Sequence, residues 1–185
     1  MGRLYVYGRL NRIANVPGIN ALPGSYTVAH GVQYGESAFD ADATYNLEFG
    51  EPVEIASENA KAVGVKRATS SLVATTLAFV VRDIVGVRSI TTGVAEAPAS
   101  NVPLTIVKAS APHSFAICVP LAASVTTAAG GAVYIGLGTG STVAGAVYAA
   151  AQGGGSNSID SGWTFLGTKF APTSDTTYYC AWISK

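Results

Sequence analysis

The feature that most restricts this chain is its apolar spacing, which repeats at every second residue in short runs and nowhere forms a capped 3.6-residue stripe over a helix length. From Asp40 to Phe49 the alternation is strict. Asp40, Asp42, Thr44, Asn46 and Glu48 share one face; Ala41, Ala43, Tyr45, Leu47 and Phe49 share the other. Further alternating or β-branched runs cover 52–55, 62–65, 76–87, 102–107, 115–119, 132–135, 146–148, 163–166 and 178–183, with Gly, Pro, Asn or Ser clusters between them. Ser70 to Val81 is the nearest helical rival, but its Thr and Val content favours strand. One short helix or turn fits only near Ser57 to Ala62. About ten short strands at this spacing predict an all-β fold, a β-sandwich or small β-barrel of short antiparallel strands.

Two strand starts echo each other. Gly50-Glu51-Pro52-Val53-Glu54-Ile55 and Gly130-Gly131-Ala132-Val133-Tyr134-Ile135 both open on glycine and then alternate. They are either related hairpins of one barrel or a coincidence in a chain rich in Ala, Gly and Val. A glycine there permits the sharp turn that begins a strand.

Residues 1–35 differ from residues 36–185. The first segment carries Arg3, Arg9 and Arg12, no acidic residue, and the breakers Pro17, Gly18, Asn20, Pro23 and Gly24. It reads as an extended N-terminal arm attached to a β-rich domain. The sign then reverses: Glu36, Asp40, Asp42, Glu48, Glu51, Glu54 and Glu58 follow with no Lys or Arg among them. The arm, with Arg3, Tyr5, Tyr7, Arg9 and Arg12, is a candidate contact segment. Asp40, Asp42, Glu48 and Glu51 form a candidate acidic face, on the same chain or a neighbour. Complementary charge of this kind sets register more than raw affinity, and solvated faces would have the same composition.

Overall charge is low. Only 12% of the 185 residues are charged, 11 basic against 11 acidic, and mean hydropathy is +0.34. A zero balance disfavours a nucleic-acid binder, which works by neutralising phosphates, and this hydropathy disfavours disorder. So apolar a surface suits a chain largely covered by other chains. The uncharged stretch from Ala109 to Ile159 is broken by Pro120 and repeated glycines and is filled with Ser, Thr and Ala, unlike a spanning helix. Met1 to Leu10 lacks the apolar stretch of a signal peptide, and Val6 stands where a myristoylation signal needs Ser or Thr. A soluble protein made in the cytosol is therefore expected. Cys118 and Cys180, the only cysteines, read as buried strand thiols in preference to a disulfide or a reactive pair.

No constellation names a reaction. Asp40, Asp42, Thr44, Asn46 and Glu51 match calcium-loop spacing, but Tyr45 stands where glycine must turn the loop. Gly136-Leu137-Gly138-Thr139-Gly140-Ser141 lacks the last glycine of a dinucleotide fingerprint and the lysine of a phosphate loop. His30 and His113 sit beside Gly or Pro without a nucleophile elbow. Carboxylates two apart on the acidic strand have glycosidase-like spacing, yet Trp163 and Trp182 lie far from them in sequence. The residues thus supply no catalytic group, metal site or cofactor, and a non-enzymatic role is expected.

Four segments together resemble the structural cement, or decoration, proteins of tailed bacteriophages. These are Gly50 to Val53 after the arm, Ser114-Phe115-Ala116-Ile117-Cys118-Val119, Ala129-Gly130-Gly131-Ala132-Val133-Tyr134, and Gly162-Trp163-Thr164-Phe165-Leu166-Gly167-Thr168. The likeness covers roughly residues 40–185; the Arg-bearing arm and the Ala/Gly-rich 136–158 depart from it. It implies a β-rich, non-enzymatic protein without cofactors, assembled in the host cytoplasm and bound to the outer capsid surface of the virion. The implied partners are the major capsid protein and the chain itself, as a homotrimer or else a dimer, with no nucleic acid or membrane. A tail, fibre or head–tail joining protein and a carbohydrate-binding β-sandwich share the composition.

Overall fold

The computed structural model describes residues 24, 26–28, 36–40, 47–58, 63–81, 103–110, 115–172 and 179–185. The strands are β1 (Tyr26–Val28), β2 (Glu36–Asp40), β3 (Pro52–Glu58), β4 (Val63–Arg67), β5 (Leu77–Val81), β6 (Pro103–Lys108), β7 (Phe115–Leu121), β8 (Ala132–Gly136), β9 (Val147–Tyr148), β10 (Ser158–Phe165) and β11 (Tyr179–Ser184). A single 3-10 turn at Gly153–Gly155 is the only helical piece among the described residues. The chain is all-β, and it combines the two expected forms. Strands β2-β4-β3-β5-β6 close into a five-stranded barrel, and β1-β7-β11-β10-β8-β9 form an open six-stranded sheet. One pairing departs from the antiparallel rule: β2 runs parallel to β4, with Ala38 opposite Val63 and Asp40 opposite Val65.

Strand β5 shows why the two units are one structure. Leu77-Ala78-Phe79-Val80-Val81 is buried throughout. Ala78 and Val80 join Val53, Val65, Leu47, Phe49 and Ile106 inside the barrel. Leu77, Phe79 and Val81 face outward and meet Ile117, Val119, Val133, Ile135, Trp163, Phe165 and Ile183 of the six-stranded sheet. A strand covered on both faces has no solvated side, so its sequence is a continuous apolar run. Phe79 and Trp163 meet at the centre, ring centroids 4.9 Å apart and tilted by 57°. Such a pair adds about 0.5–1.5 kcal/mol beyond its area burial.

The other face of β7 and β11 carries a smaller cluster of Ala116, Cys118, Cys180 and Trp182, packed by Phe170. Both cysteines are buried thiols, as expected. Cys118 lies opposite Trp182 and Cys180 opposite Pro120, so the two sulfurs belong to diagonal positions. Diagonal α-carbons are about 7–8 Å apart, beyond ordinary disulfide reach.

Several expectations need correction. The alternation of Asp40 to Phe49 is not one strand: β2 ends at Asp40, Phe49 and Gly50 form a turn, and residues 41–46 lie outside the described set. The helix or turn expected near Ser57 to Ala62 does not begin at Ser57, because β3 runs to Glu58, still paired with β4 across a bulge between Ile55 and Ser57; residues 59–62 lie outside the described set. The two glycine-led strands are not in one barrel; β3 belongs to the barrel and β8 to the open sheet. Their glycines do share a turn conformation, with φ of 79° at Gly50 and 77° at Gly130. Finally, residues 26–28, within the span read as an arm, form an edge strand on β7.

Candidate functional site

The acidic residues do not make one exposed strip. Asp40 ends β2, while Asp42, Arg3, Tyr5, Tyr7, Arg9 and Arg12 lie outside the described residues. The turn at Phe49 and Gly50 folds Glu48 and Glu51 toward each other. The Glu51 N–H donates to the Glu48 carbonyl at 3.1 Å, and the Glu48 N–H donates to Glu51 Oε2 at 2.9 Å. Glu51 is buried, 5% exposed, and its Oε1 lies 3.9 Å from Arg67 Nε. Arg67 Nε in turn donates to the Ala144 carbonyl at 3.2 Å, reaching from the barrel to a loop of the open sheet. Glu51 therefore turns into the molecule, while Glu48 is half-buried and keeps part of its surface. Burial pushes the Glu48 carboxyl above the ordinary glutamate range, and the nearby Arg67 charge pulls it partly back.

A second carboxylate, passed over in the sequence, has a clearer task. Strands β4 and β5 both pair with β3, so residues 68–76 must cross over β3. They cross above Glu54, also 5% exposed. Thr69 Oγ1 donates to Glu54 Oε2 at 2.7 Å and Ser71 Oγ donates to Oε1 at 2.6 Å, with Lys66 Nζ 3.6 Å away. Hydrogen bonds to a charged group contribute roughly 1.5–3 kcal/mol each, so this carboxylate fixes the arch.

Residues 137–146, between β8 and β9, build the same arch in the open sheet. In the first, the Leu72 N–H donates to the Thr69 carbonyl and Thr76 N–H to Val73, both at 3.0 Å. In the second, Thr142 N–H donates to Thr139 and Ala146 N–H to Val143, both at 3.1 Å. Each arch is two consecutive turns. Each tucks in one residue, Leu72 or Thr142, and exposes the next, Val73 at 50% and Val143 at 56%. The sequence signal was available as Ser71-Leu72-Val73-Ala74 against Ser141-Thr142-Val143-Ala144. The arches are rooted close together: the first on Glu54, the second through Ala144 on Arg67, with Gly145 so near that an added Cβ would lie 3.0 Å from Glu51 Oε1.

Around the tips the exposed residues are small and neutral: Ser70, Ala74 and Thr75 on one arch, Gly138, Gly140 and Ser141 on the other. Two apolar knobs with small neutral neighbours, and with the partly exposed Lys66 and Arg67 at the feet of the arches, can fill shallow pockets of another protein. The knobs offer no acid, base or nucleophile. Among the described residues there is also no group of three or more His, Cys, Asp or Glu able to hold a metal, and no helix long and apolar enough to cross a membrane. On the outer face of the open sheet, Tyr134 and Tyr148 stand opposite each other, both half-buried, and the Val143 N–H donates to the Tyr148 hydroxyl at 3.1 Å. No protein-family model matches the chain, and no curated protein sequence matches it.

Proposed function

We propose that this chain is a non-enzymatic virion structural protein that binds the outer surface of a phage capsid and bridges adjacent major capsid subunits. The observation that supports the reading is the pair of valine-tipped arches, Val73 and Val143, the first rooted on the buried Glu54 and the second through Ala144 on Arg67, with small neutral residues around their tips. Interface centres are depleted of charge and packed closely, and small neutral residues around an apolar knob suit that environment. A protein that binds only neighbouring subunits of an assembled shell stabilises the shell by mass action and needs no reactive group. The basic arm, with Arg3, Arg9 and Arg12, would reach a neighbouring chain and use Asp40, Asp42 or Glu48 for register; Glu51 is occupied internally. Self-association as a trimer, or a dimer, would place several arches on one shell.

The test is gradient sedimentation of the chain with capsids assembled from the major capsid protein of the same genome. Wild type should travel with the shell, and Val73→Asp/Val143→Asp should lose at least tenfold in affinity while keeping its circular dichroism spectrum. Undiminished binding by that variant would remove the arches from the interface. A second reading has one observation in its favour: the cross-strand Tyr134 and Tyr148 are a platform on which a sugar ring could stack. Retention on a glycan array, lost in Tyr134→Ala, would support it.

A further inference from the structure

The six-stranded sheet is completed at one edge by β1, which pairs along its length with β7. Its α-carbon partners are all on β7: Tyr26 opposite Ile117, Thr27 opposite Ala116, Val28 opposite Phe115. The next strand in sequence, β2, belongs to the barrel, where it pairs with β4 and β6. So β1 and its successor lie in different sheets, joined by the seven residues 29–35. The seat itself is shaped for main chain. The Gly24 N–H donates to the Cys118 carbonyl at 2.9 Å, and Gly24 is buried. Gly50 closes the other side: a Cβ there would stand 2.7 Å from the Cys118 carbonyl oxygen and 2.8 Å from Gly24 N. Gly50 lets three backbone segments meet here, and Gly24, with φ of 75°, makes the turn that precedes β1.

We propose that this seat is an exchange site whose occupant is the 24–28 segment of a second copy of the chain. A strand seated by main-chain bonds makes the same bonds whether it comes from its own chain or another, so the choice is decided by linker strain and local concentration. Seven residues can span roughly 25 Å at full extension, enough to reach an adjacent copy. Where copies lie side by side, reciprocal exchange ties them together without any new contact surface. The inference rests on the self-association part of the function proposed above, but not on the capsid.

Directly opposed residues of an antiparallel pair have α-carbons about 4.5–5.5 Å apart, within disulfide range. The experiment therefore mixes two chains, one carrying Thr27→Cys and the other Ala116→Cys, both with Cys118→Ala and Cys180→Ala. After incubation at high concentration and mild oxidation, the expected product is a disulfide-linked species of twice the chain mass, several-fold more abundant than from either variant alone. A chain carrying both new cysteines, oxidised when dilute, should close within itself and shows that the positions are in register. Should the background variant not fold, an isotope-filtered NOE spectrum of half-labelled wild type asks the same question through contacts between residues 27 and 116 of different chains. A chain that self-associates by light scattering, yet gives no mixed cross-link and only intrachain 27–116 contacts, overturns the exchange and leaves self-association standing. A chain that stays monomeric at every concentration overturns both.

Discussion

The barrel and the open sheet solve one problem in two ways. Each has a strand begun by a glycine of positive φ, Gly50 before β3 and Gly130 before β8, and each is crowned by an arch of two successive turns. The barrel arch is tied by hydroxyls to the buried Glu54 carboxylate. Within the sheet arch the ties are neutral: Thr142 Oγ1 donates to the Thr139 carbonyl at 2.8 Å and to the Asn157 carbonyl at 3.0 Å, and Thr139 Oγ1 donates to Asn157 Oδ1 at 3.2 Å, with Arg67 reaching it from outside at Ala144. The glycines differ as well. Gly50 is wedged against the backbone of β7, whereas nothing lies within 4 Å of where a Cβ of Gly130 would sit. The same turn chemistry is thus cheap where the chain is open to solvent and tightly constrained where the two units meet.

The glycines give the largest expected contrast. Gly50→Ala should destabilise by about 4 kcal/mol, combining left-handed strain with overpacking. Gly130→Ala should cost only about 1 kcal/mol, the strain alone. Equal losses in urea unfolding would refute the idea that the junction, and not the turn, makes Gly50 special. Next is Glu54→Ala, which leaves the Thr69 and Ser71 hydroxyls without their acceptor and should cost about 3 kcal/mol. Hydrogen exchange should then rise in residues 68–76 and not in 137–146.

The neutral arch should be more forgiving. Thr142→Val keeps shape and removes the shared hydroxyl, while the Leu137 N–H still donates to the Asn157 carbonyl at 3.0 Å. A loss of about 1 kcal/mol is expected in the same urea assay. The smallest effect concerns acid. The carboxyl of Glu48 is raised in the folded chain, so its contribution to stability is complete below the unfolded glutamate value and is lost as pH rises through the folded one. Glu48→Gln should therefore match wild type in acid and become slightly more stable than it toward neutral pH. A variant less stable than wild type at neutral pH would reverse that sign.

Much of the fold was legible in the sequence because both faces of a strand leave a mark in it. Leu77 to Val81 and Ala116 to Val119 are apolar on two sides, and the chain buries them on two sides. β2 was missed because its Glu, Ser and Ala are weak strand formers and its partners β4 and β6 lie far along the chain. The alternation from Asp40 to Phe49 misled because period 2 cannot register the turn that Gly50 imposes at its end. The candidate site was less legible. A glutamate in a polar run reads as solvated, and the partners of the buried Glu51 and Glu54 come from elsewhere in the chain: Arg67 from β4, Thr69 and Ser71 from the crossover over β3, and Ala144, bound by Arg67, from the open sheet. The echo between Ser71–Ala74 and Ser141–Ala144 was present in the letters, but its meaning lies in matched turns and exposed valines.

The proposed shell-binding role is tested most directly by an icosahedral reconstruction of capsids assembled in the presence of the chain. The expected result is repeating density outside the shell, fitted by the barrel and open sheet together, with Val73 and Val143 turned toward capsid subunits. Shells bare of such density, with the chain left free at concentrations that saturate every site, would contradict it.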